Sequence, residues 1–600
     1  MESVNYLWKA PPGSTPVRIL HKVGYCINTE GWNRKYDPPS RRILMSGQEL
    51  FKEGTTRASG SQARRYNMLA ARLMSEMVKS LLGPRGMDKV FVDVMGEVTI
   101  TKDGATLLRK IDVEHPAAKV LIEASNAVDN AVGDGTTSVV VLAGALVAKA
   151  EELLDIGVMP ATISDGYQKG LEMAIDELGK LATAHHPSDR QVMEKLATTC
   201  LGSKAISSCA EAGDIAKIVV DAIFAVADFE SGKVEVDDVK IEQKPGSVSD
   251  TRLVSGAAID KTVDNSAMAK EIRDARILLL DDDLEGKRTR TDAEIRISLP
   301  AQVKAYIDAQ ALDLRGKVQA VIDSGANVVI SRGGINMLAQ TMLAHAGIMS
   351  VRRVKENDLW WLEKATGARI TRDPERVSAQ DLGYAGKVYE KFVGDDKMVF
   401  VEGCQNPKSV TILLRAGSSK VLDEFHRSVL DAMNVLRGFI ASPAVVAGGG
   451  SAEAAMARAV RERAVAVAGR EQLAVLKFAE ALEEIPLTIA ANAGMDVIDT
   501  LVRLRAAKGK RQGINVVERT VQDMLSLNII EPIAVKEQVL GTAVDVACLL
   551  LRVDDVLVAM PQYYTHTHTD GTKHSHRGGK QDHDHFDKLG KAQRPAHHYY

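Results

Sequence analysis

The run Gly133-Asp134-Gly135-Thr136-Thr137-Ser138 constrains this chain more than any other stretch. It leads directly into Val139-Val140-Val141-Leu142-Ala143-Gly144-Ala145-Leu146, an apolar segment long enough for a buried helix. Two glycines let the backbone approach a ligand closely. The residues after them open a helix whose first N–H groups have no partner inside the helix, and such a start attracts anions, phosphate above all. Asp134 beside a phosphate is repelled unless a divalent cation lies between them, which points to Mg²⁺ and its preference for oxygen ligands. In isolation the same run reads as an ordinary helix start, capped by Asp or Thr after a glycine turn. Pieces far along the chain decide against that reading.

With 600 residues the chain has room for more than one domain and an ample core. Hydrophobic residues make up 45% and charged residues 26%, the balance of a globular protein, and a 4% aromatic content with abundant Ala, Val and Leu favours helix. A net charge of -3 gives no positive field to attract nucleic acid. The five cysteines (Cys26, Cys200, Cys209, Cys404, Cys548) lack metal-ligand spacing and fit reduced thiols in a cytoplasmic setting. No apolar run is long enough for a membrane span, and the first residues lack the apolar core of a signal peptide.

Residues 1–44, interrupted by Pro11-Pro12-Gly13 and Pro38-Pro39, develop no periodicity and read as a disordered extension or a mis-assigned start before Met45. From Gln62 to Leu82 the pattern is helical, with Leu69, Leu73, Met77 and Leu81 expected on one inward face. Leu82-Gly83-Pro84-Arg85-Gly86 stops that helix. A hairpin, the turn Lys102-Asp103-Gly104 and a second helix from His115-Pro116 then deliver the chain to Gly133. Further on, Arg276 to Leu280, Val328 to Ile330, Ile348 to Val351 and Ala368 to Ile370 are strand candidates with helical stretches between them, an α/β layer.

Four separated motifs, LGPRGMDK, TKDGATLL, GDGTTSVVVLAG and VVAGGG, stand in the order found in chaperonin subunits, and the chain resembles that family from about residue 50 to 562. Lys240-Ile241-Glu242, Ile259-Asp260-Lys261 and Glu531-Pro532 with Val535, Lys536 and Gln538 are similar to the group II branch, most of all the archaeal-type thermosome subunit. The resemblance implies a multidomain α and α/β fold. Residues 45–187 and 441–562 would form a helical equatorial domain, 188–254 and 408–440 a small α/β intermediate domain, and 255–407 an α/β apical domain. Within the last, about 287–326 would form a helical lid protrusion. Ile295, Ile297, Leu299, Val303, Ile307 and Leu312 lie there in an apolar series that, without the resemblance, reads as an amphipathic helix packed on the apical sheet. The pair Trp360-Trp361 is either core or a contact for unfolded chains.

The resemblance also distributes roles. No Gly-x4-Gly-Lys-Ser/Thr is present, so an ordinary P-loop is excluded. Gly83 and Pro84 resemble the turn packed on the nucleotide. Gly133, Gly135, Thr136, Thr137 and Ser138 would offer N–H groups and hydroxyls to the phosphates of ATP, and Asp134 would hold Mg²⁺. Asp103, with Gly104 behind it, resembles the residue that positions the attacking water, and Asp431 the hydrolytic aspartate supplied by the intermediate domain. Lys204 resembles a phosphate-sensing lysine, its plain reading being a surface lysine. Gly448 and Gly449, with Gly450, resemble the turn on the base and ribose side, and Glu531 the residue near the ribose. Ala441-Ser442-Pro443-Ala444 departs from the acidic–glycine turn expected before these glycines.

The expected function is an ATP-dependent protein-folding chaperonin. It would bind unfolded or partly folded polypeptides and enclose them in a homo- or hetero-oligomeric double ring, eight or nine subunits per ring, with a built-in lid. No nucleic acid or membrane partner is expected, and the location is cytoplasmic. The alternative is a structural or holding ring subunit with little turnover. After Pro561 the tail 563–600 carries eight of the 14 histidines (His566, His568, His574, His576, His583, His585, His597, His598) and is expected to be flexible, with adventitious metal binding as a consequence.

Overall fold

The computed structural model describes residues 56–558 except 205, 207–210, 286–299, 406–407 and 508, together with the segments 563–567 and 573–577. The extension 1–44 and the residues after 577 lie outside the described residues. The fold mixes helix and sheet, and the chain between Arg57 and Val556 is one compact unit.

Among the described residues, three large hydrophobic cores and a small fourth one (Val254, Ala258, Val393, Met398, Phe400, Leu413) lie along this unit. The first is built from two distant parts of the chain, Met68 to Leu178 and Val446 to Leu551, and is almost wholly helical. At its centre is the helix Thr136–Asp155, in which every residue from Val139 to Val147 is buried. The helix Gly60–Lys79 packs on it through small residues. A Cβ added to Gly144 would stand 2.6 Å from Ser75 Oγ, so the absence of a side chain at 144 sets how near the two helices come.

That contact corrects the expected inward face of the first helix. Met68, Ala71, Met74, Ser75 and Val78 are buried, whereas Leu69 and Leu73 are 52% and 59% exposed. Positions four apart advance by about 40° around a helix of 3.6 residues per turn. A series of four therefore drifts off any one face: Met77 is half-buried against the core and only Leu81, at its end, is fully buried.

The second core joins Val192 to Val239 with Val410 to Val445. Its sheet has Val410–Ala416 in the middle, parallel to Val239–Pro245 and antiparallel to Arg252–Val254. The helix Ser419–Ala441, capped by the Ser418 hydroxyl, covers it. The third core, Ala257 to Val401, surrounds a seven-stranded sheet. The expected strands appear there as Glu271–Leu280, Val328–Ser331 and Met349–Val351, mutually parallel, with the short Ile370–Thr371 beside the first.

The helix Pro300–Asp323 packs only through its C-terminal half: Leu314, Val318 and Val321 are buried, while Val303, Ile307 and Leu312 are exposed. Ile295, Ile297 and Leu299 lie outside the described residues. The tryptophan pair is neither plain core nor free surface. Trp361 Nε1 donates to the Asp237 carbonyl at 2.7 Å, and Lys364 Nζ stands 4.0 Å from the Trp360 ring centre. Close by, the buried Lys240 donates to Asp358 at 2.6 Å and to the Ala258 carbonyl at 2.7 Å. These contacts stitch the helix Glu356–Thr366 of the third core to the sheet of the second.

In the tail, Tyr563–Thr567 and Lys573–Arg577 form an antiparallel hairpin with His566 opposite His574. The rest of the tail expected to be flexible lies outside the described residues. The Tyr and Thr residues among the histidines of these strands favour extended backbone.

Gly144→Ala is expected to destabilise the protein by about 1–3 kcal/mol through overpacking. Gly179→Ala, in the helix Pro160–Leu181 with no atom near its added Cβ, is expected to stabilise by about 0.5–1 kcal/mol. Denaturant unfolding of the two variants checks this, and a Gly144→Ala midpoint at or above that of the parent would refute the packing account.

Candidate functional site

A cavity of ≈ 700 Å³ opens where the first core meets the second, a size suited to a small molecule. Its walls include Gly83, Pro84, Asp134 to Ser138, Lys204, Gly449 and Glu531, brought together from five distant stretches.

The Gly83-Pro84 turn is fixed from both sides. Asn492 Nδ2 donates to the Lys79 and Leu82 carbonyls at 2.9 and 2.8 Å, and Lys102 Nζ donates to the Pro84 carbonyl at 3.2 Å. Lys102 leads into Asp103, which caps the helix Gly104–Lys110 by accepting from the N–H groups of Ala105 and Thr106. Asp103 also accepts from Thr136 Oγ1 at 3.0 Å, which ties this cap to the glycine run. Asp103 is buried. Burial alone would raise its pKa, but Lys204 and the hydrogen bonds from Thr106 and Thr136 outweigh that and hold it below the ordinary value.

Within the glycine run, Gly133 and Gly135 have φ of 70° and 84°, left-handed conformations that favour glycine. Gly135 is the N-cap of the helix Thr136–Asp155, and no side chain caps that helix start. Gly450 (φ 74°) occupies the same place before the helix Ser451–Ala464, again without a side-chain cap. Two uncapped helix N-termini thus meet one cavity, each with the partial positive charge of its end.

Lys204, just beyond the helix Arg190–Gly202, is buried and not a surface lysine. Its ammonium lies 2.7 Å from Asp431 Oδ2 and 3.6 Å from Asp134 Oδ1. Burial alone would lower the lysine pKa; Asp431 and then Asp134 outweigh it and hold the group charged. Asp431, on the buried side of the helix Ser419–Ala441, is pushed by burial up to about 8, against the pull of Lys204 and with Asp103 and Asp134 adding to the rise. Two carboxylates therefore pair with this ammonium, and a third, Asp103, acts on it at longer range. Of the three, Asp134 is partly exposed and lines the cavity.

Not all the expected residues face the cavity. Gly133 N–H is committed to the Asp129 carbonyl at 2.9 Å, and Gly448 N–H to the Ile529 carbonyl at 3.0 Å, so neither is a free donor. Both glycines serve packing instead: a Cβ on Gly133 would lie 3.0 Å from Asn434 Cγ, and one on Gly448 2.6 Å from Glu531 Oε1. Gly104 likewise leaves room for Thr137 Oγ1. Asp103 and Asp431 stand behind the wall and reach it through Thr136 and Lys204.

The TCP-1/cpn60 chaperonin family model matches residues 74–561. The chain belongs to the TCP-1/cpn60 chaperonin family. It is 45% identical over 516 residues to thermosome subunit beta of Archaeoglobus fulgidus, covering 85% of this chain and 94% of that one. Thermosome subunit alpha of Sulfurisphaera tokodaii is 46% identical over 526 residues (85% and 94%), and the thermosome subunit of Methanocaldococcus jannaschii 44% over 524 residues (86% and 96%). Within the family this is a group II chaperonin subunit of the archaeal type, an ATPase that drives protein folding. Nucleotide binding follows from membership.

Two residues of the chaperonin cavity escaped the sequence reading as site residues. Glu453 and Lys536 both line it, and Lys536 pairs with Glu453 at 2.8 Å and with Glu531. The available signal was the third residue after Gly450 and the fifth after Glu531, but nothing in the linear order pairs them. No helix among the described residues is long and apolar enough to cross a membrane.

Lys204→Met is expected to cost about 3 kcal/mol at pH 8, because it leaves buried carboxylates without their cation. Without that cation the folded carboxyl pKa values rise, so the folded state holds protons more tightly and the loss shrinks toward pH 5. Urea unfolding at both pH values checks this; equal midpoints for variant and parent at pH 8 would contradict it.

Proposed function

We propose that the cavity binds ATP with Mg²⁺, and that the carboxylate cluster around Lys204 is the hydrolytic centre. The observation that carries this reading is the meeting of Asp103, Asp134 and Asp431 at one buried ammonium beside two uncapped helix N-termini. The helix starts after Gly135 and Gly450 suit phosphate oxygens, and the hydroxyls of Thr136, Thr137 and Ser138 add donors. The apolar side chains of Ile485, Ile489, Ile514 and Val516 suit the base. Mg²⁺, when bound at Asp134, neutralises phosphate charge. Lys204 acts as the cation that holds Asp431 before nucleotide arrives and offers its charge to the terminal phosphate afterwards. Asp103, fixed by its helix cap and Thr136, orients the attacking water. Asp431 takes up its proton late, since phosphoryl transfer demands positioning more than deprotonation.

The three cores correspond in this reading to an equatorial part (45–187 and 441–562), an intermediate part (188–254 and 408–440) and an apical part (255–407). Asp431 comes from the second and the glycine run from the first, so relative movement of the two assembles or opens the centre. The exposed Val303, Ile307 and Leu312 support a lid role for the protruding half of their helix. The assembly is a cytoplasmic double ring of eight or nine subunits per ring that encloses unfolded polypeptides.

Asp431→Ala is expected to lower ATP turnover by about 100-fold or more while changing nucleotide affinity little. Phosphate release and calorimetric titration of the purified protein measure the two. Equal turnover in variant and parent would sink the assignment. Ile307→Glu with Leu312→Glu is expected to leave ATPase activity intact and abolish nucleotide-dependent protection of the ring interior from protease. Undiminished protection would remove these residues from the lid.

A further inference from the structure

Asp103 stands at the end of a narrow hairpin. Its strands, Lys89–Val92 and Val98–Thr101, pair with each other, and no strand among the described residues covers the other edge of the second. The backbone groups of such an edge need partners wherever it is buried. Where this edge runs into the Lys102-Asp103 turn, two side chains of the helix Ser419–Ala441 supply them. Glu424 Oε1 accepts from the Lys102 N–H at 3.2 Å, and Arg427 Nη2 donates to the Ile100 carbonyl at 3.4 Å. Alternate residues of an antiparallel strand turn their backbone groups to the same edge. Glu424 and Arg427 therefore take the place of a third strand.

Glu424 is itself held. It is buried, and its Oε2 accepts from Arg427 Nε and Nη2 at 3.1 and 2.6 Å. One oxygen is thus committed to the arginine and the other to the backbone beside Asp103. On the far side of that backbone bond, the Asp103 N–H donates to Thr101 Oγ1 at 3.0 Å, and its carboxylate accepts from Ala105, Thr106 and Thr136. Those bonds set the carboxylate within its turn. The bonds from Glu424 and Arg427 set the turn against the helix that carries Asp431. Glu424 and Asp431 are seven residues apart, just under two helical turns, so one face of the helix presents both. A displacement of this helix moves the two carboxylates together.

We infer that Glu424 is a positioning residue for hydrolysis, which through the Lys102 N–H holds Asp103 in place opposite Asp431, with Arg427 orienting Glu424. This rests on the reading of Asp103 and Asp431 as the hydrolytic carboxylates. Glu424 is not among the residues that line the cavity, so its effect falls on turnover and passes through Asp103.

The test measures single-turnover hydrolysis of ATP with Mg²⁺, and ATP affinity by calorimetry, on the full chain. The variants are Asp103→Ala, Glu424→Ala and the two combined. Glu424→Ala is expected to slow hydrolysis by about 10-fold or more and to leave the dissociation constant within about 2-fold, the signature of a misplaced catalytic group. Combined with Asp103→Ala it is expected to add nothing, because a residue that acts through Asp103 then has nothing left to position. Losses that multiply would give Glu424 a role independent of Asp103 and overturn the inference. So would an unchanged rate in Glu424→Ala, or an affinity that falls as far as the rate, which marks a merely structural role. A rate that Asp103→Ala leaves unchanged would overturn the hydrolytic reading itself, and this one with it. Should Glu424→Ala fail to fold, Glu424→Gln conserves volume but has one acceptor oxygen for two donors. It is expected to slow hydrolysis by about 3-fold or more, again with no further loss beside Asp103→Ala. A multiplied loss there, or a rate equal to that of the parent, decides against the inference.

Discussion

A lysine ammonium buried among three aspartates is the interaction on which this site depends. Burying Lys204 is costly unless it is paired, and Asp431 at 2.7 Å with Asp134 at 3.6 Å supplies the pairing. The same arrangement is unbalanced from the carboxylate side, since one ammonium cannot offset three carboxylates. Asp103 escapes the imbalance by capping a helix and accepting from Thr136. Asp431 does not, and burial pushes its pKa up to about 8. In the proposed reading, the Mg²⁺ that arrives with the nucleotide relieves this imbalance.

In the proposed reading, charge alone would not make a phosphate site of this cavity. Glycine does the rest by two separate routes. Gly135 and Gly450 take left-handed conformations and leave helix starts without side-chain caps. Gly133, Gly104 and Gly448 are close-approach positions, where a methyl group would strike Asn434, Thr137 or Glu531. The first group opens the site to a ligand, and the second lets the segments that carry the carboxylates come together. The cluster also joins two cores, since Lys204 and Asp431 belong to the part of the chain packed in the second, and Asp103 and Asp134 to the first. A ligand that redirects Lys204 therefore acts on the junction between them.

Much of this was legible in the linear sequence because the decisive elements are local. The Gly-Asp-Gly-Thr-Thr run, the Lys102-Asp103-Gly104 turn and the strands of the third core each announce themselves within a few residues. What was not legible depended on geometry over longer range. The glycine run does not say which N–H groups are already spent, and Gly133 and Gly448 proved committed to backbone carbonyls. The Leu69–Leu73 stripe misled because four-residue spacing drifts around a helix, while small residues at Ala71 and Ser75 made the true contact. Trp361 bonds a carbonyl more than a hundred residues away, and Glu453 meets Lys536 only through the pairing of Ala444–Ala447 with Ile530–Pro532.

The most direct test of the central claim is a structure of the full chain with Mg²⁺, ADP and aluminium fluoride as a mimic of the transferring phosphoryl group. The account predicts the mimic beside Asp134 to Ser138, with Lys204 drawn away from Asp431 toward it. A mimic bound there with the Lys204–Asp431 pair unchanged, or bound outside this cavity, would contradict it.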